Sequence, residues 1–288
     1  AMIDQSAGER SFDRALSGHI GYFISNLCRA FSYGISASHL APSPVGGRVA
    51  NYYRRLGQMS AVFAVTSDLT LILLGGAFKR KEMLSGRFAD ALGYMFYASA
   101  VLKKYEDDGQ PRTDLPLVEW AAKYCLYQIQ TALDEILRNF PIKSLGVLIR
   151  TIVFPLGSSL RQPNNSLSHR VAALMIKPGE ARDRLTEGIF INGDENDITG
   201  CLEDALLKSI SAEPIQRHLR AAGLFKPDLV DYTDWVSELV AENHITSDQA
   251  SILNDAQIAT RKVIMVDEFT PEQMVAVAPK KKRAKKKK

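Results

Sequence analysis

The sequence predicts an all-α fold: an antiparallel helical bundle followed by a region of shorter helices and a disordered basic tail. Three observations carry this expectation. Apolar residues recur at i, i+3, i+4 and i+7 through several long stretches, the mark of amphipathic helices. No stretch alternates with the period of two that a half-buried strand requires. The breaks between the stretches are short or rich in Pro and Gly, which suits helices that run back alongside their predecessors.

The first helix is expected over 12–36, with Leu16, Ile20, Phe23, Leu27 and Phe31 on its buried face. The segment 38–48, SHLAPSPVGGR, holds two prolines and two glycines and stops it. Residues 48–108 read as two long helices joined at Gly75-Gly76, a pair placed as a helix C-cap, with the basic cluster Lys79-Arg80-Lys81 just after. On the second of them Leu84, Phe88, Leu92, Met95 and Leu102 fall in one stripe. A loop at 107–116 ends it. A fourth helix, over 117–139, carries Val118, Ala121, Cys125, Ile129, Ala132 and Ile136 on its apolar face and stops before Pro141.

The character changes at 142. Residues 144–156, SLGVLIRTIVFPL, put Leu145, Leu148, Ile149, Ile152 and Leu156 on one face, and Val147 and Phe154 opposite. A helix apolar nearly all round is either a buried spine or rests against lipid. The second reading makes Leu145, Leu148, Ile149, Ile152, Val153, Phe154 and Leu156 a membrane contact, flanked or interrupted by Lys143, Arg150 and Arg161 at headgroup level.

Beyond Pro163 short helices are expected over 166–176 and 179–190, then a polar loop over 191–200. Residues 201–223 read as two helices broken before Pro214, the first over 202–210. Residues 231–264 form a helical hairpin, with Thr246 and Gln249 as a capping box for its second arm. Thr270-Pro271-Glu272 opens one last turn, with Pro at its first position. These elements divide the chain into a helical bundle over 1–140, a helical extension over 141–275 and a Lys-rich tail over 276–288.

Bulk properties narrow the function classes. The chain of 288 residues is 46% hydrophobic and 24% charged, ordinary for a globular protein. Its net charge of +4 comes from the end: residues 280–288 carry eight cations, so the body is mildly acidic. The tail has no interleaved aromatic residues, and no nucleic-acid partner is expected. It remains a candidate for an anionic membrane surface. Cys28, Cys125 and Cys201 form no CxxC pair, which argues against disulfides or a zinc site. The five histidines are never three or four residues apart, so no metal site is expected; His19 is the best candidate for a packed one. No GxGxxG, GxxxxGK[ST] or GxSxG occurs. No apolar run reaches the ~20 residues of a transmembrane helix, and residues 1–14 lack the apolar core of a secretory signal. The chain opens Ala1-Met2 and soon enters a helix, which reads as a segment of a longer protein.

Five stretches carry a narrower likeness: FDRALSGHIGYFISNLCRAF (12–31), ANYYRRLGQMSAVFAVTSDLTLILLGGAFKRKEMLSGRFADAL (50–92), YASAVLKKYEDDGQPRTDLPLVEWA (97–121), LRNFPIKSLGVLIRTIVFPLG (137–157) and AEPIQRHL (212–219). In this order, over about 12–270, they resemble the C-terminal region of the large bacterial acyl-CoA dehydrogenases of fatty-acid β-oxidation, with that family's C-terminal extension.

The resemblance implies a parent enzyme that oxidises acyl-CoA to trans-2-enoyl-CoA with FAD. Its partners would be the acyl-CoA substrate, an electron-transfer acceptor and further copies of itself. It would be cytoplasmic, peripheral on the inner membrane. The family's helix-then-GG-x-G flavin motif is not intact here, since Ala77-Phe78 follow the glycines. The family's catalytic base is a glutamate followed by Gly and a small residue. The sole Glu-Gly here, Glu187-Gly188, precedes Ile189 and does not match. The sequence therefore assigns no catalytic, cofactor-binding or metal residue, and a structural role is expected. A free-standing helical adaptor or lipid-surface module is the rival.

Overall fold

The computed structural model describes residues 5–191, 197–226 and 231–265. Among the described residues every regular element is helical, which bears out the all-α class. The chain forms two compact units, Ala1–Asp183 and Arg184–Lys288.

The first unit holds α1 (Gln5–Ile35), α2 (Ala50–Leu74), α3 (Glu82–Asp107), α4 (Leu115–Arg138), α5 (Lys143–Val153) and α6 (Asn165–Met175). Its centre is α4, which packs against α2, α3, α5 and α6. Two apolar stripes allow this. Val118, Ala122, Cys125, Ile129, Ala132 and Ile136 follow one another at alternating spacings of four and three. Leu126, Gln130, Leu133 and Leu137 form a second buried row beside them. A helix touched on several sides must bury more than the ordinary single stripe.

Facing α4, α3 buries Leu84, Phe88, Ala91, Ala98, Leu102 and Tyr105, with Met95 partly covered. This row also alternates fours and threes, the pattern of helices packed nearly in parallel. The expected stripe is right except at Leu92, which is 56% exposed. Ala91 takes the inward position, and a small residue there lets the two backbones approach.

On α2 the buried face runs through Met59, Val62, Val65, Thr66 and Thr70. The two hydroxyls donate back to the carbonyls of Val62 and Thr66, each at 2.7 Å, so neither hydroxyl is stranded. Contrary to the sequence reading, Ala50–Arg80 is long and apolar enough to cross a membrane by length and composition. Its inward face nevertheless belongs to the bundle core. Gly75 caps α2 at φ +48°, its N–H donating to the Leu71 carbonyl, and a 3-10 turn, Gly75–Arg80, leads into α3.

One expectation needs correction here. The face of α1 marked by Leu16, Ile20 and Phe31 is exposed; Phe23 and Leu27 are half-buried, and among the described hydrophobic residues of the helix Ala30 alone is fully covered. The bundle meets only the C-terminal part of α1. His19 is exposed for the same reason. The expected division at 140/141 differs from the compact units. α5 packs on α4 and α1, α6 packs on α4, and Trp120 Nε1 donates to Ser168 Oγ at 3.0 Å. Residues 143–175 therefore belong with the bundle.

The helix α7 (Glu180–Thr186) spans the division between units. The second unit contains α8 (Ile198–Ala221), α9 (Thr233–Ala241) and α10 (Ser247–Ile264). α8 was expected as two helices but runs unbroken through Pro214. Proline there forgoes a single backbone hydrogen bond. Ala212, Ile215 and Leu219 on either side of it are buried in the unit's core, and that packing keeps the helix continuous. Trp235 is the aromatic centre, edge-on to Tyr232 at 4.8 Å and Phe225 at 5.9 Å. The Thr246–Gln249 capping box forms as read: the Thr246 hydroxyl accepts from the Gln249 N–H, and the Gln249 side chain accepts from the Thr246 N–H. The expected last turn at Thr270 and the basic tail lie outside the described residues.

Candidate functional site

The seven residues singled out for a membrane contact separate into two groups. Ile149, Val153 and Phe154 are core residues of the first unit, and Leu145 and Ile152 are half-buried. Leu148 and Leu156 are exposed, as is Val147 beside them. α5 is thus seated on the bundle along Gly146, Ile149 and Val153, one residue per turn. Gly146 fixes that seating: a Cβ there would stand 2.4 Å from the Leu137 carbonyl oxygen and 2.7 Å from Phe140 Cβ. The helix ends at Val153 and not at 156. Pro155 disfavours helical geometry at Phe154, which sits at φ −124°, ψ 60° and donates its N–H to the Arg150 carbonyl.

Arg150 does not reach outward toward headgroups. Its Nε lies 2.5 Å from Asp134 Oδ1, while Arg138 Nε lies 2.6 Å from the other oxygen of the same carboxylate. One aspartate on α4 thus ties α5 to α4.

The two family motifs weighed in the sequence also have clear positions. Glu187 stands exposed beside Gly188 at φ +83°, just past α7. A base that abstracts a proton next to a thioester needs enclosure, and Glu187 stands open to water. Gly75 and Gly76 lie in open space, with no atom within 4 Å of a Cβ built on either. A flavin cradle needs backbone brought close to a phosphate or ring. The Gly75 N–H is already spent on capping α2. These residues do not fit a flavin. Among the described residues no group of three or more His, Cys, Asp or Glu side chains is placed to hold a metal.

What sequence reasoning missed is the amount of apolar surface left uncovered on the first three helices. Phe12, Leu16, Ile20 and Ile24 on α1 are all about half exposed or more. Leu71 and Ile72 stand out at the end of α2. On α3, Leu92 and Phe96 are one turn apart and exposed, next to Tyr97, whose ring meets Phe96 at 6.1 Å. Scattered exposed apolar residues are ordinary, but runs of them along helix faces mark interaction surfaces. Helical spacing singled out Leu16, Ile20 and Leu92 among these, but as buried positions; it carried no signal that another molecule, or more of this one, supplies the cover.

A family profile described as "Acyl-CoA dehydrogenase, C-terminal, bacterial type" matches residues 1–269. No solved structure matches the chain.

Proposed function

The chain belongs to the bacterial-type acyl-CoA dehydrogenase C-terminal family, and from that premise we propose that it is the structural, non-catalytic segment of an FAD-dependent enzyme of fatty-acid β-oxidation. The parent would oxidise acyl-CoA to trans-2-enoyl-CoA and pass electrons to an external acceptor. The segment's own task is contact between subunits. The observation that carries this is the uncovered apolar row on α1 together with Leu92 and Phe96 on α3. Covering a Leu or Phe side chain gives ~1.5–3 kcal/mol, so a few such residues suffice for an interface.

Light scattering on the purified chain tests the contact. Wild type should self-associate at micromolar concentration, and Leu92→Glu with Phe96→Glu should shift it to monomer while helicity is kept. A wild type that stays monomeric throughout would remove the subunit reading. The same preparation should be colourless and should not reduce a dye with palmitoyl-CoA. Yellow protein carrying FAD would show that flavin is held by residues assigned no such role here.

Membrane association is the second reading, favoured by one observation: Val147, Leu148 and Leu156 are exposed next to Lys143. It would place the enzyme in the cytoplasm, peripheral on the inner membrane. Flotation with anionic vesicles should weaken in Val147→Glu with Leu148→Glu. Ile149 and Phe154 are unsuitable targets, because acidic residues there would break the core.

A further inference from the structure

Between α2, α4 and the segment joining α5 to α6 lies a cleft of about 400 Å³. Three cations line it: Arg55 from α2, Lys123 from α4 and Arg161 from the segment. Their separation in sequence hides the cluster, which only the packing of α2 on α4 assembles. Arg55 and Lys123 are half-buried. Among the described residues no carboxylate lines the cleft or pairs with any of the three. Glu119, one turn before Lys123, bears electrostatically on Tyr52 at the cleft's edge without lining the cleft itself.

The wall that carries Arg161 is fixed in place. Gln130, 3% exposed on α4, accepts from the Leu160 N–H at 3.1 Å and donates to the Leu160 carbonyl at 3.4 Å. At the far end Asn164 caps α6 by accepting from the Leu167 N–H at 2.9 Å, so the start of that helix opens on the cleft. The partial positive charge of a helix N-terminus adds to the three full charges.

Three cations around one cleft with no carboxylate in its lining repel one another, and a multiply charged anion relieves this. A single carboxylate leaves most of the charge uncompensated. A phosphate ester or diphosphate matches both the charge and the forked donors of two guanidinium groups. We propose that this cleft binds a phosphate-bearing ligand through Arg55, Lys123 and Arg161. The inference stands apart from the subunit reading: the cleft uses none of the exposed apolar residues of α1 or α3.

The test is titration of pyrophosphate, and separately adenosine 3′,5′-bisphosphate, into the isotope-labelled full chain, with calorimetry at low salt. Saturable binding should shift the amides of 51–55, 123, 159–162 and 164, and Lys123→Gln with Arg161→Gln should weaken it at least tenfold. A chain cut after Pro279 should bind as wild type does. Equal binding by the folded double variant, or loss of binding with the tail, overturns the proposal. Should the double variant not fold, Arg161→Gln alone decides, since that side chain is exposed: threefold or greater weakening supports the site and none refutes it. A parallel arm uses phosphatidylglycerol vesicles. Binding to vesicles alone, abolished by the same variants, identifies the phosphate as a lipid headgroup; binding to the soluble compounds identifies a soluble ligand; binding to neither sinks the idea.

Discussion

α4 and α1 are both long helices with apolar residues at helical spacing, and they end in opposite surroundings. α4 buries two adjoining stripes and is touched by four other helices. The first four turns of α1 have no covered residue among those whose burial is described. The difference is not in periodicity. It lies in what the rest of the chain supplies: α4 is flanked in sequence by helices that fold back on it, whereas among the described residues α1 is packed by α2 and α5. Apolar spacing therefore reports a helix and its sticky side, and says nothing about who covers that side.

The largest effect should come from cutting the same kind of side chain on each helix. Leu133 on α4 is fully buried, and Leu133→Ala should cost about 2–5 kcal/mol in denaturant unfolding followed by circular dichroism. Leu16→Ala on α1, where the leucine is 46% exposed, should fall within ~0.5 kcal/mol in samples dilute enough to be monomeric. Comparable losses at both positions would mean that α1 is covered in solution.

The same contrast explains how much of the molecule was legible in its sequence. The α3 and α4 stripes were nearly complete because each packing face has a regular spacing. Leu92 was misplaced because it adjoins Ala91, and spacing alone favours the larger residue, whereas close helix contact favours the smaller. The capping box at Thr246 was readable because all its atoms lie within four residues. Pro214 signals a break locally, and the tertiary burial of Ala212 and Ile215 overrides that signal. The seating of α5 followed Gly146, whose lack of a side chain made it invisible to an apolar pattern. The cleft cations come from residues 55, 123 and 161, so no local signal joins them. The family match extends over the whole of the first unit and most of the second, yet names no residue's role.

Cover by neighbours should also appear in titration. Tyr52 on α2 is buried, and desolvation, followed by the charge of Glu119, pushes its phenol up to about 12 from an ordinary 10. A raised pKa means that the folded state holds the proton more tightly than the unfolded state. The resulting stability is fully present below pH 10 and is lost as pH rises toward 12. The loss should be on the order of 2–3 kcal/mol. Subtracting the pH-dependence of Tyr52→Phe from that of wild type isolates it. An unchanged alkaline profile in Tyr52→Phe would show that the phenol is hydrated.

Glycine replacement gives the next contrast. Gly146→Ala must move either the Leu137 carbonyl or Phe140, since the new Cβ would stand 2.4 Å and 2.7 Å from them. A cost of about 1–3 kcal/mol is expected for such overpacking, seen as a lowered unfolding midpoint. No change would place α5 farther from α4 than described.

Gly21 on α1 is the counterpart and the smallest expected effect, of opposite sign. It lies inside a helix with nothing within 4 Å of a built Cβ, so alanine meets no obstruction. Glycine in a helix interior costs roughly 0.5–1 kcal/mol relative to alanine, because it gives up more backbone freedom on folding. Gly21→Ala should therefore raise helicity and stabilise α1 by about that amount in dilute, monomeric samples. The informative variable is concentration. If the variant is stabilised when dilute but associates more weakly than wild type, Gly21 is a point of close approach for a second helix, and the exposed side of α1 is an interface. If association is unchanged while stability rises, Gly21 lies away from any contact, and the apolar residues of α1 must meet their partner along another line of the helix.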